Sequence, residues 1–263
     1  ILVDSGQVSA PEGSSALEEG TLGAANALEL SSRLLENDEP GRAARILSGI
    51  SVSSLDEKGV DDLVSVLQRL ASSYTDHDAE LLGGLAMVSA GAGSYGQAER
   101  FIDMIAETES SRWEKESLSA LLLEKRDRLR AARRKYRDIF RSTAPVDEKK
   151  NALLRIASID YTLKRYKSSA ENLRLFGQYY PSDGRAESAL DRSARIYVAR
   201  KEWEEADASW TVLAGMSPRT REGRAGVISL AAMKVFLGEY GGAREVLERF
   251  IDDRPGDLEP AAL

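Results

Sequence analysis

The feature that most limits the fold is a period. Tyr166, Trp203 and Tyr240 are spaced by 37 and 37 residues, and so are Pro181, Pro218 and Pro255. Between them, Ser169, Ala206 and Ala243 hold one small column. Leu173, Trp210 and Leu247 hold a large one, and Phe176, Leu213 and Phe250 another. Upstream, Ala157, Ala194 and Ala231 keep the same register. A fixed spacing of this size marks one supersecondary unit stacked on copies of itself, because a single unit cannot bury its apolar face alone. Stepping back by 37 lands on Leu129, with Ala132, Tyr136 and Ile139 in their columns and Pro145 one residue late. A further step of 34 lands on Tyr95, followed by Ala98, Ile102 and Ile105.

Each unit reads as two helices. Leu153, Ile156, Ala157 and Tyr161 have helical spacing and form the first. The second carries Tyr166, Leu173 and Phe176 on its buried side, and proline then stops it, since proline lacks an N–H and disfavours helix at the residue before it. The small columns let paired helices approach closely. Strict apolar–polar alternation persists nowhere, so no strands are expected.

The same register explains "GAGSYGQAERF" (91 to 101), where Gly91, Gly93 and Gly96 spell the G-x-G-x-x-G of a dinucleotide-binding loop. That loop needs a preceding strand and a surrounding βαβ unit. Here "AELLGGLAMVSA" precedes it with helical spacing, and "GSYGQA" (93 to 98) matches "GEYGGA" (238 to 243) position by position. The glycines are expected at a helix–helix turn, with no cofactor.

Composition narrows the class further. With 42% hydrophobic and 30% charged residues, the 263-residue chain can fold and is not a disordered one. A net charge of −7 disfavours nucleic acid, as does the lack of exposed aromatics among the basic residues. Without cysteine there are neither disulfides nor thiolate metal sites. No apolar run approaches the roughly 20 residues that span a bilayer. Residues 3–20 are small, polar and acidic, and are expected to be a flexible lead-in or a frayed terminus. The chain begins at Ile1, so it is expected to be a processed form or an excised piece from which any export signal would already be gone, and the lead-in would suit a tether behind such a signal or a lipid anchor. Residues 22–50 read as a helix pair turning at residues 37–41, and residues 55–74 as an amphipathic helix with Leu63, Leu67 and Leu70 on one side. The expected division is a lead-in (1–20), degenerate hairpins (21–110, with a bend near 107–116) and regular 37-residue repeats (111–263).

Leu237, Gly238, Tyr240, Ala243 and Pro255 together resemble the second half of a tetratricopeptide repeat (TPR). The match is strongest over 150–255. It implies an all-α, right-handed superhelical solenoid of antiparallel helix pairs, about five to seven hairpins in all. The usual period is 34; the longer one here, with extra residues after proline, is similar to bacterial cell-envelope members of the family. The resemblance implies a non-enzymatic scaffold binding a partner protein or peptide, periplasmic or lipid-anchored, with a cytoplasmic location left open. The other function it allows is a regulatory module of a larger protein, such as an activator of a peptidoglycan synthase.

In TPR arrays the first helices line a concave groove. By register the inward positions are Asn151, Arg155, Ser158, Tyr161, Ser188, Asp191, Arg192 and Arg195. Leu154 and Ser158 stand where chaperone-binding members need Lys and Asn, which argues against a chaperone C-terminus as ligand. A second candidate is the basic run from Lys125 to Arg137, in which Arg126, Arg130, Arg133 and Arg137 are spaced to share one side of a helix. Two readings stand: a positive ridge for phosphates, an acidic partner or a membrane surface, or a solvated helix paired with the next repeat. Trp203 and Trp210 fall in core columns, whereas Trp113 falls in none and is expected at the surface. His77, flanked by Asp76 and Asp78, reads as an exposed residue beside an N-cap, not as a metal ligand. No catalytic constellation, metal site or cofactor site is expected.

Overall fold

The computed structural model describes residues 23–75, 78–108, 111–216 and 220–252. The lead-in 1–20, His77, Pro218 and Pro255 lie outside them. The described residues form thirteen α-helices and one 3-10 turn, with no strand. In chain order the helices are α1 (Ala24–Glu36), α2 (Pro40–Ser48), α3 (Glu57–Ser73), α4 (Ala79–Gly91), α5 (Tyr95–Met104), α6 (Ser111–Lys125) and α7 (Leu129–Arg141). They continue with α8 (Val146–Thr162), α9 (Tyr166–Tyr179), α10 (Ala186–Ala199), α11 (Trp203–Met216), α12 (Arg221–Phe236) and α13 (Tyr240–Asp252).

Six hairpins share one turn. Asp38, Gly93, Asp127, Lys164, Lys201 and Gly238 have φ of +58°, +75°, +57°, +59°, +60° and +80°. In each case the next residue's N–H reaches back five residues to a carbonyl, as in Arg165 N to Asp160 O (2.7 Å) and Glu202 N to Tyr197 O (3.0 Å). The left-handed residue itself bonds three residues back, as in Lys164 N to Tyr161 O (2.9 Å). This is the Schellman ending, which satisfies the last carbonyls of the first helix and reverses the chain in three residues. From Asp127 to Gly238 these turns recur every 37 residues, and the Gly93 turn lies 34 before Asp127. The G-x-G-x-x-G stretch is therefore one of the helix–helix turns, as its register implies.

Contacts divide the chain into two compact units, separating Ala132 from Arg133 within α7. In the first, α1 and α2 form the hairpin expected over 22–50, and α2 packs directly on α4. The long α3 is inserted between these hairpins and lies against α1, α2 and α5. Its Leu63, Leu67 and Leu70 are fully buried. Asp56 caps it by accepting from Gly59 N (2.8 Å), and Asp78 caps α4 by accepting from Leu81 N (3.2 Å).

In the second unit each helix from α8 to α13 packs on the next, and α12 also touches α10. The small columns sit at these contacts: Ala157, Ser169, Ala194, Ala206, Ala231 and Ala243 are all buried. Buried serines take a carbonyl across the contact, with Ser169 Oγ donating to Ala157 O and Ser193 Oγ to Ala170 O, both at 2.8 Å. Phe176, Leu213, Leu173 and Trp210 are buried as their columns require. Tyr240, in the Trp203 column, is 69% exposed, and two tryptophans also depart from expectation. Trp203 is only half-buried, because it edges an open cleft, and Trp113 is half-buried instead of exposed, with the Arg112 guanidinium 5.0 Å from its ring.

Candidate functional site

The first helices of the second unit present one continuous face. On α8, Asn151, Arg155, Ser158 and Tyr161 are exposed, and on α10 so are Ser188, Arg192 and Arg195, while Asp191 is half-buried. These positions recur at helical spacing on the side away from the buried Leu153, Ile156 and Ala157, which is how sequence register finds them. Several are held in place. Asn151 Oδ1 accepts from Arg185 Nη1 at 2.8 Å. The Arg192 guanidinium lies 5.0 Å from the centre of the Tyr161 ring, which stands edge-on to Tyr166 at 5.2 Å. Such stacking fixes a cation without neutralising it. Asp191 accepts from Trp210 Nε1 (3.1 Å) and from Arg195 Nε (2.6 Å).

Beyond Arg195 the face opens into a cleft of about 460 Å³. Arg195 and Val198 of α10, Trp203 and Trp210 of α11, and Ser229, Ala232, Met233 and Phe236 of α12 line it. The Trp203 and Phe236 rings are 5.6 Å apart, and Phe236 is 74% exposed. A phenylalanine this open is uphill in water unless something covers it. Two of the α12 residues were reachable from sequence: adding 37 to Arg192 and Arg195 gives Ser229 and Ala232. The face thus grades from polar on α8 through cationic on α10 to apolar on α12.

At the α9–α10 connection, Asp183 accepts from Arg185 Nε (2.8 Å), Nη2 (2.9 Å) and backbone N (3.0 Å), and pairs with Lys150 (3.5 Å). The Arg185 side-chain bonds, followed by its backbone bond and the two cations' charges, hold the Asp183 carboxyl well below the usual carboxylate range despite its partial burial.

The basic run does not form the second candidate as spaced. Arg126 precedes α7 and belongs to the turn that ends α6, so the four arginines are not on one helix. Arg126 pairs with Glu99 and lies 5.1 Å from the Tyr95 ring. Arg133 grips the fully buried Asp160 with two bonds, Nε to Oδ1 (2.5 Å) and Nη2 to Oδ2 (2.8 Å). Ser168 Oγ donates to Asp160 at 2.8 Å and Asn172 Nδ2 at 3.3 Å. Arg130 is exposed and Arg137 half-buried. Sequence could not reveal these partners because both ion pairs join residues 27 apart that lie in different elements of the fold.

Among the described residues no group of three or more His, Asp or Glu side chains could hold a metal ion, and no helix is long and apolar enough to cross a membrane. No protein-family model matches the chain, and no curated protein is similar enough to it in sequence to count as a relative. The class defined by the fold is an all-α chain of sequentially packed helical hairpins with an open face that grades from polar to apolar.

Proposed function

We propose that this chain is a non-enzymatic scaffold of the tetratricopeptide type, a right-handed solenoid whose first-helix face holds an extended segment of a partner protein. The observation that carries this reading is the open cleft at Trp203 and Phe236, adjoining the exposed cations Arg192 and Arg195 on the same face. The 37-residue recurrence of the left-handed turn supports the repeat type. The cleft suits one apolar or aromatic side chain, and the cations suit a carboxylate beside it. Arg195 can exchange its partner cheaply, because its own side chain is exposed and an i,i+4 pair of this kind with the half-buried Asp191 contributes about 1 kcal/mol or less. A bacterial cell-envelope setting belongs to this proposal and rests on the sequence resemblance; fractionation of the native organism checks it.

Peptide display against the full chain tests the binding face. Selected peptides should share an aromatic or aliphatic anchor with an acidic neighbour. Phe236→Ala should weaken them by about tenfold or more, as loss of a central anchor does. Arg192→Glu with Arg195→Glu should weaken them further, with the helical circular dichroism unchanged. Peptides that bind all these variants as they bind the parent would refute the groove.

A further inference from the structure

Most columns of the second unit are alike from repeat to repeat. Ala157, Ala194 and Ala231, or Ser169, Ala206 and Ala243, would let one first helix take the place of another. One column differs. On the first helices α8, α10 and α12 it holds Asp160, Tyr197 and Lys234, and 27 residues before each, on the preceding second helix, stand Arg133, Ala170 and Asp207. The two sets change in step. Arg133 grips Asp160, and Lys234 Nζ lies 2.7 Å from Asp207 Oδ1 with the signs reversed. Between them the pair is neutral: Ala170 and Tyr197 are both buried, and Ser193, one turn before Tyr197, donates to Ala170 O at 2.8 Å. The helix that follows each first helix is matched as well. Ser168 and Asn172 donate to Asp160, whereas Gly242 leaves room for the Lys234 stem, which a Cβ there would approach to 3.3 Å. Size also varies in the same helix contacts, where Gly177 receives Leu190 but Leu213 meets Gly226.

We propose that this column fixes the order in which the hairpins stack, so that each first helix is accepted only by the second helix that precedes it in the chain. Every other pairing leaves a charge unmatched. Setting α12 against α7 would put Lys234 opposite Arg133, and setting α8 against α11 would put Asp160 opposite Asp207. With α10 against α7, Arg133 would face Tyr197, and with α12 against α9, Lys234 would face Ala170. In the folded chain the side chains of Arg133, Asp160, Lys234 and Asp207 are 16%, 0%, 18% and 35% exposed, so these sites shed most of their water and an unmatched charge there is costly. The native pairs gain little over a neutral contact, because desolvation offsets their attraction. What they supply is discrimination among repeats whose apolar columns are interchangeable. Such an array needs it, since docking on the wrong neighbour is a characteristic failure of repeat proteins.

The test compares full-chain variants refolded by rapid dilution from urea, with the fraction recovered as helical monomer read by size-exclusion chromatography and circular dichroism. Asp207→Arg with Lys234→Asp keeps an ion pair at that contact but gives it the signs of Arg133 and Asp160, so that α7 accepts α12 as well as α8. Recovery should fall at least about twofold below the parent's, while the chain that does refold keeps the parent's helical signal. Adding Arg133→Asp with Asp160→Lys makes the two contacts distinct again and should restore recovery, although it doubles the number of changes. Asp207→Ala with Lys234→Met makes the contact neutral, like that of Ala170 and Tyr197. It should lower recovery in the same way, and it does not depend on a reversed pair being formed. Recovery equal to the parent's in the sign-copied or the neutral variant would overturn the proposal. So would a fourfold variant that recovers no better than the sign-copied one, which would leave these pairs as stabilising contacts only.

Discussion

At the scale of single residues, one chemical change should act with opposite sign at two glycines. Gly238 has φ of +80° with nothing within 4 Å of a prospective Cβ, so Gly238→Ala meets only the backbone cost of the left-handed region. That cost is about 1–2 kcal/mol, partly offset by the lower entropy of the unfolded chain. Gly96 lies in the first turn of α5 with equally open surroundings, and Gly96→Ala should stabilise by up to about 1 kcal/mol. Paired thermal melts check the contrast, and equal shifts in one direction would contradict it. The Arg133–Asp160 pair makes a second residue-scale claim. Arg133→Ala leaves a fully buried carboxylate without its bidentate cation and should cost about 3–5 kcal/mol. The double change Arg133→Met with Asp160→Asn should recover much of that loss in urea titrations, because it removes the buried charge along with its partner.

At the scale of elements, the contacts between successive helices set what each can tolerate. Gly226→Ala would push a methyl against Leu213, itself fully buried, at the α11–α12 contact, and should cost about 1–3 kcal/mol. A melting midpoint equal to that of the parent would show that the contact is looser than its geometry. The α9–α10 connection carries a pH dependence. Because Arg185 and Lys150 lower the Asp183 pKa in the folded chain, this group's contribution is fully present above its ordinary pKa. It is lost progressively as pH falls from about 4 toward the depressed value. Asp183→Asn should flatten the fall in stability below about pH 4 and lower stability at neutral pH. A variant with the parent's pH profile would assign that acid sensitivity to other carboxylates.

At the scale of the whole molecule, stability is distributed unit by unit. Within the second unit each helix rests on its sequence neighbours, so protection should follow how much of each helix is buried. Seven residues of α10 are buried, whereas among the described side chains of α13 only Ala243 is. Hydrogen exchange should therefore be slowest in α10 and fastest in α13. Equal protection of α10 and α13 in the isolated chain would contradict nearest-neighbour stacking.

The period, the helix pairs, the turn positions and the small columns were all determined by the sequence alone. They are consequences of local chemistry repeated in register: helical spacing of apolar residues, a turn that needs φ above zero, and small side chains wherever two helices touch. The exposed face of α8 and α10 was legible for the same reason, since burying one side of a helix exposes the other. The tertiary structure decided what depends on the next element along. It buries Trp210 under α12 and leaves its counterpart Leu247 open, although the two share a column. It turns Arg126 and Arg133 from members of a basic run into partners of Glu99 and Asp160, and it inserts α3 between two hairpins that pack on each other directly. Exposure and pairing are set by neighbours distant in sequence, and a register specifies which residues can meet a neighbour without specifying which neighbour is there.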